Sequence, residues 1–118
     1  MNADRLLVQY VEDIIDACGK ARGFVDDVSF DSFSENPEKQ FAVIRALEIV
    51  GEAVKHIPET VRVRHPEIPW REVAGMRDKL IHGYFRVNIH LIWQTVQRDL
   101  PSLLKTMEII RSELEEFE

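Results

Sequence analysis

The sequence predicts an all-α protein, an antiparallel up-and-down bundle of four main helices with one or two short helices besides. Three observations carry this. Apolar residues recur at alternating steps of three and four, the period of a helix face. Only five glycines and five prolines occur, which fits short connections. The last segment keeps a heptad seam, Trp93, Val96, Leu100, Leu103, Met107, Ile110, Leu114 and Phe117, over 25 positions.

Each element has its own warrant. The first helix presents one stripe, Leu7, Val11, Ile14, Cys18, Ala21 and Val25, with Asn2 or Asp4 as its cap. The stripe ends near Gly23, Asp26 and Asp27. Residues 29–35 read as a loop with one helical turn that tucks Phe30 and Phe33 inward. Asn36-Pro37-Glu38 then supplies a cap, a proline at the first helical position and an acid at the positive end of the dipole. The second long helix carries the stripe Val43, Leu47, Val50, Val54, Ile57 and ends at Pro58. Its second face, Phe41, Ile44, Glu48, Gly51, Glu52 and Lys55, mixes large, small and charged residues, so it contacts more than its own bundle. Residues 59–69 form a proline-bounded connection with a short helix. Trp70, Val73, Ala74, Met76, Leu80 and Ile81 suit a buried helix that stops at Gly83. Pro101 interrupts the last segment, so a kink or two helices end to end are expected there.

Length and composition bound the function. The 118 residues are expected to form one domain, 1–118. The N-terminus mixes Asp4, Glu12, Asp13 and Asp16 with apolar residues, unlike a signal peptide, and no apolar run would span a bilayer. The single cysteine, Cys18, fits a reducing, cytoplasmic setting. Fifteen basic against 21 acidic side chains give a net charge of −6, which argues against coating nucleic acid by bulk electrostatics. The charge is uneven. Residues 61–90 carry six basic and three acidic side chains, the one basic region of the chain.

That region holds the one constellation fit for chemistry, Arg77-Asp78-Lys79-Leu80-Ile81-His82-Gly83-Tyr84. No phosphate loop, nucleophile elbow, zinc motif or paired cysteines occur, and no histidine pair has zinc spacing, so no metal or cofactor is expected. Cleaving RNA without a metal requires taking the proton from a ribose 2′-hydroxyl, stabilising a phosphorane and protonating the leaving oxygen. Histidine suits the proton transfers and arginine the phosphorane. A structural reading stays open, with Arg77–Asp78 as an ion pair and His82 as a helix cap. Five residues on a helix turn about 140°, so Arg77 and His82 do not share a face. They converge if the helix unwinds near Gly83 or if a second copy completes the cleft.

Arg77-x4-His82-x-Tyr84 resembles the signature of the HEPN superfamily in its HepT-like toxin branch. The stretches RALEIVGEAVKHIPE, IPWREVAGMRDKLIHGYF and IWQTVQRDLPSLLKTMEII are similar to that branch in order and spacing. The resemblance implies a helical bundle, a homodimer with the arginine and histidine at its interface, and a metal-independent endoribonuclease acting as a toxin. It implies a minimal nucleotidyltransferase antitoxin that silences the nuclease by adding AMP to the motif tyrosine. By position, Arg77 and His82 are then catalytic, Tyr84 is the modified residue, and Asp78 orients Arg77 or His82. Lys79, Arg71 and Arg86 would hold RNA phosphates, with a solvated face as the alternative for each. Glu48 and Glu52 either brace an arginine or pair on their own helix. The alternative function is a non-catalytic interaction module that binds a nucleotidyltransferase or a nucleotide.

Overall fold

The computed structural model describes residues 2–81 and 88–116 and the side chains of 6–80 and 88–116, and the described residues form seven helices and one widened turn. The helices are α1 (Asn2–Phe24), α2 (Phe30–Ser34), α3 (Pro37–Val54), α4 (Glu59–Arg62), α5 (Trp70–Ile81), α6 (Ile89–Gln94) and α7 (Leu100–Glu116), with a π turn at Thr95–Asp99 between the last two. No strand occurs among the described residues, so the all-α expectation holds. The four expected long segments are α1, α3, α5 and the α6–π–α7 rod, and α2 and α4 are the short extras. The packing order is α5 on α3, α3 on α1, and α1 on α7.

The predicted stripes face the core. Val11, Ile14, Cys18 and Ala21 of α1 are fully buried against Val43, Leu47, Val50 and Val54 of α3 and Leu103, Met107 and Ile110 of α7. Burying such side chains stabilises by about 1.5–3 kcal/mol each. Asp4 lies inside α1, not at its cap. Asn36 caps α3 as expected, its side chain accepting from the Lys39 N–H at 3.1 Å. The Lys39 ammonium in turn donates to the Phe24 carbonyl, tying the start of α3 to the end of α1. Phe33 is buried and Phe30 half-buried, and both pack on Trp93.

Two ends differ from the sequence reading in position. Helix α3 stops at Val54, before Pro58, and Pro58 instead opens α4. Arg62 clasps the frayed end, its Nε donating to the Ile57 carbonyl and its Nη2 to the Val54 carbonyl, both at 2.8 Å. The break near Pro101 is one π turn, in which the Leu100 N–H reaches five residues back to the Thr95 carbonyl. Proline cannot donate at the next position, and the wider turn adjusts the ladder just before it.

A polar cluster around the buried His65 and Thr106 fastens the 63–69 connection. Trp70 Nε1 donates to the His65 carbonyl, and Thr106 Oγ1 donates to Glu67. The His65 ring lies 3.5 Å from Glu113 and 3.7 Å from Glu67. The Glu67 carboxyl is held below its ordinary range by its own backbone N–H, then by Thr106 and His65, against some desolvation.

Candidate functional site at the α3–α5 crossing

Arg77 sits where α5 crosses α3, and two consecutive α3 residues hold it there. The first is Gly51. A Cβ on Gly51 would stand 3.0 Å from the Arg77 backbone nitrogen, 3.2 Å from its Cβ and 3.2 Å from the Val73 carbonyl oxygen. Only a residue without a side chain lets the two backbones approach this closely. The second is Glu52, whose Oε1 lies 3.4 Å from Arg77 Nε. That carboxylate holds the Nε edge of the guanidinium, and the Arg77 side chain stays 39% exposed. A planar fork held by one edge is suited to grip phosphate oxygens with the other.

The acidic partners divide cleanly. Glu52 reaches Arg77, whereas Glu48 pairs with Arg45 of its own helix at 3.3 Å. Asp78 lies 3.9 Å from Arg77 Nη1 and 3.7 Å from Lys55 Nζ, so it links the arginine to a second cation, at the C-cap of α3. The other oxygen of Glu52 lies 3.6 Å from His56 Nε2, and the His56 ring stacks on Tyr10 of α1. The sequence offered His56, with Arg45 and Lys55, only as a local partner for Glu48 or Glu52, and gave no sign of Tyr10, because a contact between residues 46 positions apart leaves no local pattern. It did place Gly51 and Glu52 on the mixed face of α3, and that mixed face was the available signal.

The remaining expected site residues spread out. Lys79 lies two positions after Arg77, about 200° around the helix, and lines an apolar cavity of about 350 Å³ with Met76, Leu80, Leu91 and Thr95. Arg71 is exposed on the first turn of α5, about 240° from Arg77. The structure does not bring these two cations beside Arg77. His82, Tyr84 and Arg86 lie outside the described residues, as does the expected stop at Gly83. No helix among the described residues is long and apolar enough to cross a membrane.

Comparison with known proteins gives these residues a context. The family described as "Ribonuclease HepT-like" matches residues 14–110. A protein of Thermococcus cleftensis named probable ribonuclease HepT is 51% identical over 86% of this chain and 93% of its own. Two relatives whose names mark them as candidate RNases are similar over comparable spans. One, from Caldanaerobacter subterraneus, is 45% identical over 88% of this chain and 94% of its own. The other, from Methanocaldococcus jannaschii, is 43% identical over 93% of this chain and 89% of its own. No solved structure gives a significant match. The family match spans most of the sequence and takes in the whole Arg77–Tyr84 constellation, so the chain belongs to the ribonuclease HepT-like family.

Proposed function

We propose that the chain is a metal-independent endoribonuclease of the toxin type, acting in the cytoplasm as a homodimer. The observation that carries this is the mounting of Arg77: fixed through its backbone by Gly51 and through Nε by Glu52, with its side chain still 39% exposed. Its relatives' names, ribonuclease HepT and RNase, agree with that use.

In the reaction, the 2′-hydroxyl loses its proton to a base and attacks the adjacent phosphorus. The bond to the 5′-oxygen breaks, and that oxygen takes a proton. His82 supplies the proton transfers and Arg77 stabilises the charge on the phosphorane. The rotation between the two along a helix favours a cleft completed by a second copy. Asp78 orients Arg77. Lys79, Arg71 and Arg86 guide the strand. A minimal nucleotidyltransferase antitoxin silences the enzyme by adding AMP to Tyr84.

Arg77→Ala or His82→Ala should lower cleavage of an oligoribonucleotide by about 10²–10³ or more, with an unchanged far-UV spectrum and no sensitivity to EDTA in the parent. A double variant that cleaves like the parent would sink the reading, and tight binding of a nucleotidyltransferase with no RNA turnover would favour an interaction module instead. For the control point, the peptide containing Tyr84 should gain mass in AMP units when the cognate nucleotidyltransferase and ATP are added.

A further inference from the structure

We propose that the stacked rings of Tyr10 and His56 form a seat for an unpaired nucleobase of the RNA strand whose phosphate Arg77 engages. The inference rests on the ribonuclease reading and adds a binding subsite to it.

The two rings lie nearly parallel, 5° apart, with centroids 4.2 Å apart. They come from different elements, α1 and the turn after α3. One face of the imidazole is covered by Tyr10, yet the His56 side chain remains 44% exposed. Core filling does not account for it. The next residue, Ile57, is 2% exposed and makes the core contact for this turn.

The platform is also rigid. The His56 N–H donates to the Ala53 carbonyl at 3.0 Å. Arg62 holds the carbonyls on either side of His56, at Val54 and Ile57, and its guanidinium lies 5.9 Å from the Trp70 ring. A ring fixed before binding loses little freedom when a base lands on it.

The position relative to Arg77 completes the argument. Glu52 bridges the two, with one oxygen 3.6 Å from His56 Nε2 and the other 3.4 Å from Arg77 Nε. The imidazole and the guanidinium thus flank a single carboxylate. A nucleotide carries a phosphate at one end and a flat base at the other. The carboxylates of Glu52 and Asp78 repel the phosphate, which therefore meets the exposed part of the Arg77 side chain away from both, and the base is left over the ring. Cation and aromatic side by side are the parts that hold single strands.

The test measures binding of a labelled, fully 2′-O-methylated oligoribonucleotide, which cannot supply the attacking hydroxyl, to the full-length chain. His56→Ala should weaken binding roughly 5- to 100-fold, and His56→Phe should restore it to within about twofold of the parent. One abasic position in the strand should reproduce the loss and remove any further effect of His56→Ala. Binding by a folded His56→Ala chain equal to the parent's would overturn the proposal, as would a His56→Phe chain as weak as His56→Ala. If His56→Ala does not fold, the abasic scan on the parent decides: no sensitive position means no base seat. Cleavage that needs Arg77 together with binding indifferent to His56 defeats the base seat alone. A parent chain that neither binds nor cuts RNA defeats the ribonuclease reading and the seat with it.

Discussion

Gly51→Ala is a one-methyl probe of how Arg77 is placed. The added carbon meets the Arg77 nitrogen at 3.0 Å and the Val73 carbonyl at 3.2 Å, both backbone atoms that cannot rotate aside. Comfortable heavy-atom contact lies near 3.5–4.0 Å, so α5 must move off α3 by roughly 0.5 Å at this point. Overpacking of this kind costs about 1–3 kcal/mol, and the better helix propensity of alanine offsets about 1 kcal/mol of it. The net loss of stability is then about 0–2 kcal/mol, a small effect in urea unfolding followed by far-UV circular dichroism. Turnover should suffer more. Misplacing a catalytic group by 1 Å can cost about 10²-fold, so a shift of half that predicts about tenfold. Gly19→Ala is the control: nothing lies within 4 Å of its added carbon, so it should gain about 1 kcal/mol from helix propensity and cleave RNA like the parent. A Gly51→Ala chain with the parent's unfolding midpoint and turnover would refute the idea that this crossing sets the arginine.

Two further outcomes follow from titrating groups. Burial pushes the Cys18 thiol up from 9.0 to about 12, with Arg22 opposing; its folded value is raised, so its contribution is complete below pH 9 and is lost as pH rises toward 12, at most about 4 kcal/mol. A thiol reagent at pH 8 should leave Cys18 unlabelled until urea unfolds the chain, and fast labelling of the native protein would contradict its burial. Glu67 is depressed below its ordinary 4.5, so its contribution is present above that value and is lost as pH falls through its folded value. Glu67→Gln should therefore flatten the acid side of the stability–pH curve, and an unchanged slope would show that neither its own backbone N–H nor the Thr106 and His65 contacts favour the ionised form.

How much the sequence revealed depended on the range of the interaction. The α1 and α3 stripes and the Asn36 cap are local patterns, and the structure follows them residue by residue. The end of α3 was misplaced because Arg62, eight residues beyond Val54, secures its last carbonyls and lets the helix stop before the proline. Proximity to Arg77 along the chain did not translate into proximity in space. Lys79 and Arg71 turn away on α5, while Glu52 arrives from α3 and the Glu52-linked His56 from the turn after it. Helical rotation rules out the first pair by arithmetic, but only the crossing angle of two helices brings in the second.

The π turn at Thr95–Asp99 makes chain length itself a structural variable. It keeps Trp93 and Val96 on one side and Leu100, Leu103, Met107 and Ile110 on the other directed into a common core. A π turn takes up one extra residue locally, so removing one residue from it would close the ladder to an ordinary helix and leave everything beyond facing as it does. Removing a residue from regular α7 would instead rotate everything beyond it by about 100° and take part of its seam off α1, one wall of the bundle on which α3 and its arginine seat depend. A change of one residue in length is therefore absorbed at the π turn, whereas the side chain of Val96, buried within it, cannot vary freely.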